Sequence, residues 1–139
     1  MQPDPELVAE TRGWLQRAGH DLGAGATDLT AQPAFTGDAV FHAQQAAEKS
    51  LKGYLTWHSR VFRKTHNLAE LGGLCIDLDV ALEPMLRRAA RLTDYAWKYR
   101  YPGEPQEPSR EEAIAALALA REVYDAILSR LPAEVRPAG

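Results

Sequence analysis

The 139-residue chain is 45% hydrophobic and 25% charged, with a formal net charge of −3, a composition that suits one globular domain and leaves too little chain for two cores. That charge excludes a uniformly basic nucleic-acid coat, and the single cysteine, Cys75, excludes an internal disulfide or a cysteine-built zinc site. No run approaches the ~18 apolar residues of a membrane helix, and the N-terminal residues lack a basic-then-apolar leader, so a soluble cytoplasmic protein with no membrane association is expected.

Helical periodicity runs through nearly every segment, and none has the β-branched alternation of a strand. A first helix is predicted to begin after Asp4, with Pro5 in the opening position where its missing N–H costs nothing. Its apolar face reads Leu7 or Val8, Thr11, Trp14 with Leu15, Ala18, Leu22 and Leu29, and Gly23 and Gly25 weaken its later turns. The link AQPAFTGD precedes a second helix capped by Thr36 or Asp38 and running to about Trp57. A third begins near THNLAEL with Thr65 or Asn67 as its cap. A fourth is expected over Ala81 to Tyr99, with Leu82, Met85, Leu86, Ala89, Leu92, Tyr95 and Ala96 on one side. The proline-rich YPGEPQEPS stops it. Ser109 and Glu112 form a capping-box pattern opening the last helix, which is predicted to bury Ile114, Leu117, Ala120, Val123 or Tyr124, Ile127 and Leu131. The fold class is therefore all-α: an antiparallel up-and-down bundle of four to five helices in one domain spanning 1–139, with its core at about 5–131 and a short flexible tail at 132–139.

The second helix carries an uneven polar face. Val40, Ala43, Ala47, Leu51, Tyr54 and Leu55 form its apolar side, while His42, Gln45, Lys49 and Lys52 recur at helical spacing along another. Glu48 can pair with Lys52 one turn on. Two readings stand: a solvated face with one helix salt bridge, or a cationic hydrogen-bonding strip for a phosphate or a base edge. From Lys49 to His66 there are five Lys or Arg residues and no acid, which makes that region locally cationic. No metal site is expected, since His42 and His58 lie over four turns apart and His58 and His66 have no third ligand beside them. Trp14, Trp57 and Trp97 read as core or dimer anchors. Cys75, within LCIDL, reads as a buried inert thiol.

Several of these stretches together resemble the HEPN domain family of small helical bundles. They are F-H-A-Q-Q-A-A-E-K-S-L-K at 41–52, T-H-N-L at 65–68, R-Y-P at 100–102, and WLQRAGHDLGAG at 14–25, where Trp14, Ala18, Asp21 and Leu22 match the family's first helix. The resemblance implies a bundle that is often homodimeric and associated with nucleotides or RNA. Many relatives pair with a minimal nucleotidyltransferase as a toxin–antitoxin or modification system. Some are metal-independent ribonucleases with an Arg and a His four to six residues apart. Arg60 and His66 have that spacing, but active relatives carry the pair nearer the C-terminus, and no His follows His66.

The resulting expectation is a HEPN-like protein that dimerises and binds a nucleotide, RNA or a partner nucleotidyltransferase, possessing no cofactor and leaning away from enzymatic activity. The binding groove would use His42, Gln45, Lys49, Lys52, His66, Asn67, Arg100 and Tyr101, with Lys49, Lys52 and Arg100 as a phosphate clamp. The alternatives are a metal-independent endoribonuclease toxin using Arg60 and His66, and a structural dimer without ligand.

Overall fold

The structure, a computed structural model, describes residues 2–103 and 106–138. Five α-helices appear among them: α1 Pro5–Thr30, α2 Thr36–Trp57, α3 Leu68–Leu78, α4 Glu83–Ala89 and α5 Arg110–Leu128, with 3₁₀ segments at Val80–Leu82, Ala90–Ala96 and Ala133–Val135. The described residues hold no strand. The protein is an all-α bundle around one core.

Local chemistry explains the helix starts. Asp4 accepts the Glu6 N–H ahead of Pro5, Asn67 accepts the Glu70 N–H, and Ser109 accepts the Glu112 N–H, each satisfying a donor that the helix itself leaves open. The Ser109 box is only half made, because the Glu112 carboxylate bonds the Tyr95 hydroxyl instead of reaching back. α2 departs from expectation. It starts at Thr36 after Phe35 with no side-chain cap, so neither Thr36 nor Asp38 serves as one.

α1 and α2 are joined by an ion pair and a histidine–carboxylate hydrogen bond. Lys49 Nζ lies 2.7 Å from Asp21 Oδ2 and His42 Nδ1 2.8 Å from Asp28 Oδ2. The bases are two turns apart on α2 and the acids two turns apart on α1 in the opposite order, which sets an antiparallel register. Gly53 lets the two helices close further along, since a β-carbon there would come within 3.1 Å of Leu15 and 3.2 Å of Trp14. Leu15, Leu51, Leu55, Leu68, Leu71, Val123 and Ile127 are each at most 1% exposed, and each such side chain contributes about 1.5–3 kcal/mol through burial.

One connection departs from a simple up-and-down path. After α2 the chain returns beside it in an irregular stretch, residues 58–67. The start of α3 then lies beside Gln44, whose amide donates to the His66 carbonyl at 3.1 Å. Its later turn lies beside Leu51, whose carbonyl receives the Cys75 thiol at 3.9 Å. α2 and α3 thus run in the same sense.

The predicted fourth helix is broken. Only Glu83–Ala89 is α-helical, and the chain tightens to 3₁₀ over Ala90–Ala96. Thr93 is the local cause: its hydroxyl donates to the Ala90 carbonyl and receives the Leu68 N–H at the open end of α3, competing with regular helix bonding. On α5, Ile114 is 48% exposed and Leu117 only half-buried; the core face is Ala113, Ala116, Leu119, Ala120, Val123, Tyr124 and Ile127. Beyond Leu131 the chain stays docked as far as Val135, which is fully buried.

Candidate functional site

The polar face of α2 is for the most part a seam. Its Lys49 and His42 are spent on Asp21 and Asp28 of α1. Lys52 is 6% exposed, its ammonium 5.5 Å from the Trp14 ring centre on one side and 5.9 Å from that of Phe62 on the other. Phe62 comes from the returning stretch, which lies over this part of α2. Two more cations of the locally basic region are paired, Arg60 with Asp77 and Arg63 with Glu70, while Lys64 is exposed.

Glu48 is the centre of this region. Only 4% exposed, it receives Lys52 Nζ at 2.9 Å, Gln44 Nε2 at 3.1 Å and His66 Nδ1 at 2.7 Å. Burial pushes its carboxyl upward, but the hydrogen bonds from Lys52, His66 and Gln44 outweigh burial and hold it below the usual carboxylate range. The ladder Gln44, Glu48, Lys52 is one residue per turn along α2. Gln44, fully buried, rather than Gln45, is its amide; Gln45 only donates to Gln44 at 2.7 Å.

His66 opens the network to the surface. Its side chain is 60% exposed. The Nδ1 bond to Glu48 leaves the other ring nitrogen facing outward. Two turns toward the start of α2, the Arg100 guanidinium lies 3.8 Å from the Phe41 ring centre and has no acidic partner among the described residues. Tyr99 holds it there by a backbone turn at φ 68°, a left-handed conformation costing of order 1 kcal/mol and braced by stacking on Tyr95 at 6.3 Å. Tyr101 beside it is 64% exposed. Phe41, Gln44, Gln45 and Glu48 share one side of the helix, so His66 and Arg100 overlie the same face.

The expected clamp of Lys49, Lys52 and Arg100 does not assemble. Arg100 sits over Phe41, about 16 Å of helix away from Lys52, and both lysines already hold carboxylates. Arg60 and His66 are likewise kept apart. Arg60 bonds Asp77 near the last turn of α3, whereas His66 precedes the first turn, and about 15 Å of helix separates those ends. Asn67 is committed to its cap. His58 packs on Tyr54 at 4.7 Å, and no cluster of three metal-ligating side chains occurs among the described residues.

The sequence reading assigned no role to Gln44, Phe41 or Asp28, and marked Asp21 only as a match to the family's first helix. The Gln44–Glu48–Lys52 spacing was a usable signal for the first. That the acids on α1 neutralise α2 could not be read without knowledge of the pairing of the helices.

A model of the HEPN domain family matches residues 11–131, nearly the whole chain, and the protein belongs to that family. Neither a search of curated proteins nor one of solved structures returned a match. Membership supports a nucleotide- or RNA-related role in general terms, and HEPN domains often dimerise. No helix among the described residues is long and apolar enough to cross a membrane.

Proposed function

We propose that this HEPN domain protein binds the phosphate backbone of RNA, or the phosphates of a nucleotide, across the face of α2 from Phe41 to Glu48, and does so without cleaving it. What supports this is the pairing on one face of an unneutralised guanidinium laid on an aromatic ring with an exposed imidazole oriented from beneath by a buried carboxylate. A stacked guanidinium keeps its N–H edge for phosphate oxygens. His66 and Gln45 add hydrogen-bonding groups, and Tyr101 offers a ring for a base. Of the residues expected to bind, Gln45, His66, Arg100 and Tyr101 carry the proposal, while His42, Lys49, Lys52 and Asn67 serve the fold. Homodimerisation, and a minimal nucleotidyltransferase as partner in a toxin–antitoxin pair, are compatible additions.

The test is titration of a labelled single-stranded RNA against the wild type and Arg100→Ala, without metal and with the RNA length monitored. Binding weakened at least tenfold by the substitution, with intact RNA, is expected. Metal-free cleavage abolished by His66→Ala would instead establish the endoribonuclease reading.

A further inference from the structure

The chain that carries Arg100 onto the α2 face closes in a tight turn. The Arg100 N–H donates to the Trp97 carbonyl at 3.2 Å, so Lys98 and Tyr99 occupy the two central positions. Tyr99, the second of these, has φ 68°. Glycine or asparagine ordinarily fills such a place, because a β-carbon is crowded there. Glycine would make the same turn without strain, so the backbone gives no reason for a tyrosine.

The ring gives one. It stacks on Tyr95 with 6.3 Å between centres and 27° between planes, and Lys98 Nζ lies 5.1 Å from its own centre. Tyr95 is anchored in turn, its hydroxyl donating to the Glu112 carboxylate. Glu112 stands in the first turn of α5, where its N–H is held by the Ser109 hydroxyl at 3.0 Å. A carboxylate at this position could reach back and complete the capping box, but it is committed to Tyr95. A hydrogen bond and a stack thus run from α5 through Tyr95 to Tyr99, the residue before Arg100.

Arg100 has little else to hold it. It is exposed, lies on the Phe41 ring at 3.8 Å, and has no acidic partner among the described residues. A long side chain that samples many rotamers binds less tightly, because a ligand must immobilise it.

We infer that Tyr95 and Tyr99 are positioning residues for Arg100, fastened to α5 by Glu112, and that they preorganise its guanidinium on Phe41 for a phosphate. They act through Arg100 and need no contact with the ligand. The inference rests on phosphate binding by the α2 face.

Two readouts test it: the NMR resonances of the Arg100 side chain, and titration with the labelled single-stranded RNA. In the wild type the Arg100 δ-methylene protons are expected upfield of their free position through the Phe41 ring current, a shift lost in Phe41→Leu. Tyr99→Gly keeps the turn and removes the ring. It should return these resonances toward the free position and weaken RNA roughly three- to tenfold, the range set by immobilising one long side chain. Tyr95→Phe, which removes a single oxygen, should move both readouts the same way by less. Glu112→Gln retains an acceptor for the Tyr95 hydroxyl and should behave as the wild type.

Added to Arg100→Ala, Tyr99→Gly should cost no further RNA affinity; fully additive losses would make the tyrosines independent of Arg100 and overturn the inference. Should Tyr99→Gly fold poorly, Tyr95→Phe against Glu112→Gln decides. Arg100 resonances unmoved in both tyrosine variants, or RNA binding lost in Arg100→Ala and fully kept in them, overturns the inference while leaving the α2 face as the binding site. No RNA binding by the wild type overturns the reading of that face, and the role given to the tyrosines with it.

Discussion

Glu48 Oε1 and His66 Nδ1 stand 2.7 Å apart, joining a carboxylate that is 4% exposed to an imidazole that is largely in solvent. The bond fixes the ring of His66 and, with the Gln44 amide on the His66 carbonyl, ties the returning chain to α2. One carboxylate thus supports both the core and the proposed binding face.

Glu48→Gln leaves the Lys52 ammonium buried between Trp14 and Phe62 without its counter-charge. Breaking a buried pair from one side costs about 3–5 kcal/mol, so the midpoint of chemical denaturation should fall sharply. The double substitution Glu48→Gln/Lys52→Met should recover most of that loss. A double variant no more stable than the single one would mean that the charge pair is not the source of the effect.

The same carboxylate gives a pH dependence with a definite sign. Its folded-state value is held below the ordinary 4.5, so the unfolded chain binds protons first as the solution is acidified. Its contribution is present above pH 4.5 and is lost as pH falls through the folded value. Denaturation midpoints measured from pH 7 to pH 3 should decline more steeply for the wild type than for Glu48→Gln/Lys52→Met.

Arg100→Ala should reduce RNA affinity at least tenfold and lower the salt dependence by about one released counterion. His66→Ala should cost several-fold, and Arg60→Ala nothing, because Arg60 serves Asp77. Equal losses at Arg60 and Arg100 would point to diffuse charge instead of the α2 face.

Lys49→Ala distinguishes seam from strip. As the partner of Asp21 it should cost about 1 kcal/mol or less in stability, with coupling to Asp21→Ala in a double-mutant cycle. RNA affinity should not change. A large loss of RNA binding would return Lys49 to the ligand surface.

Burial pushes the Cys75 thiol up to about 12, so at neutral pH the reactive thiolate is suppressed. A disulfide-exchange reagent should titrate no thiol in the native protein and one after denaturation.

Much of the fold was legible because local signals agreed with it. Pro5, Asn67 and Ser109 marked helix starts through backbone chemistry, and the apolar spacing of α2 identified Val40, Ala43, Ala47, Leu51 and Leu55 as core. Where a distant partner decides, the reading failed. Periodicity extended the fourth helix through Thr93, whose hydroxyl instead serves α3, and it buried Ile114, which no neighbouring helix covers.

By itself the sequence determined an all-α domain, its helix order, its family and an unusual polar face on α2, because propensity, capping and period are properties of a short stretch of chain. Only the tertiary structure decided what that face does. The side chains of His42, Lys49 and Lys52 were visible, but Asp28 and Asp21 reach the first two through the antiparallel register of α1, and Phe62 covers Lys52 because the chain doubles back beside α2. Whether a charge is free or spent depends on what is packed against it. Here packing takes the lysines out of solvent and leaves His66 and Arg100 exposed.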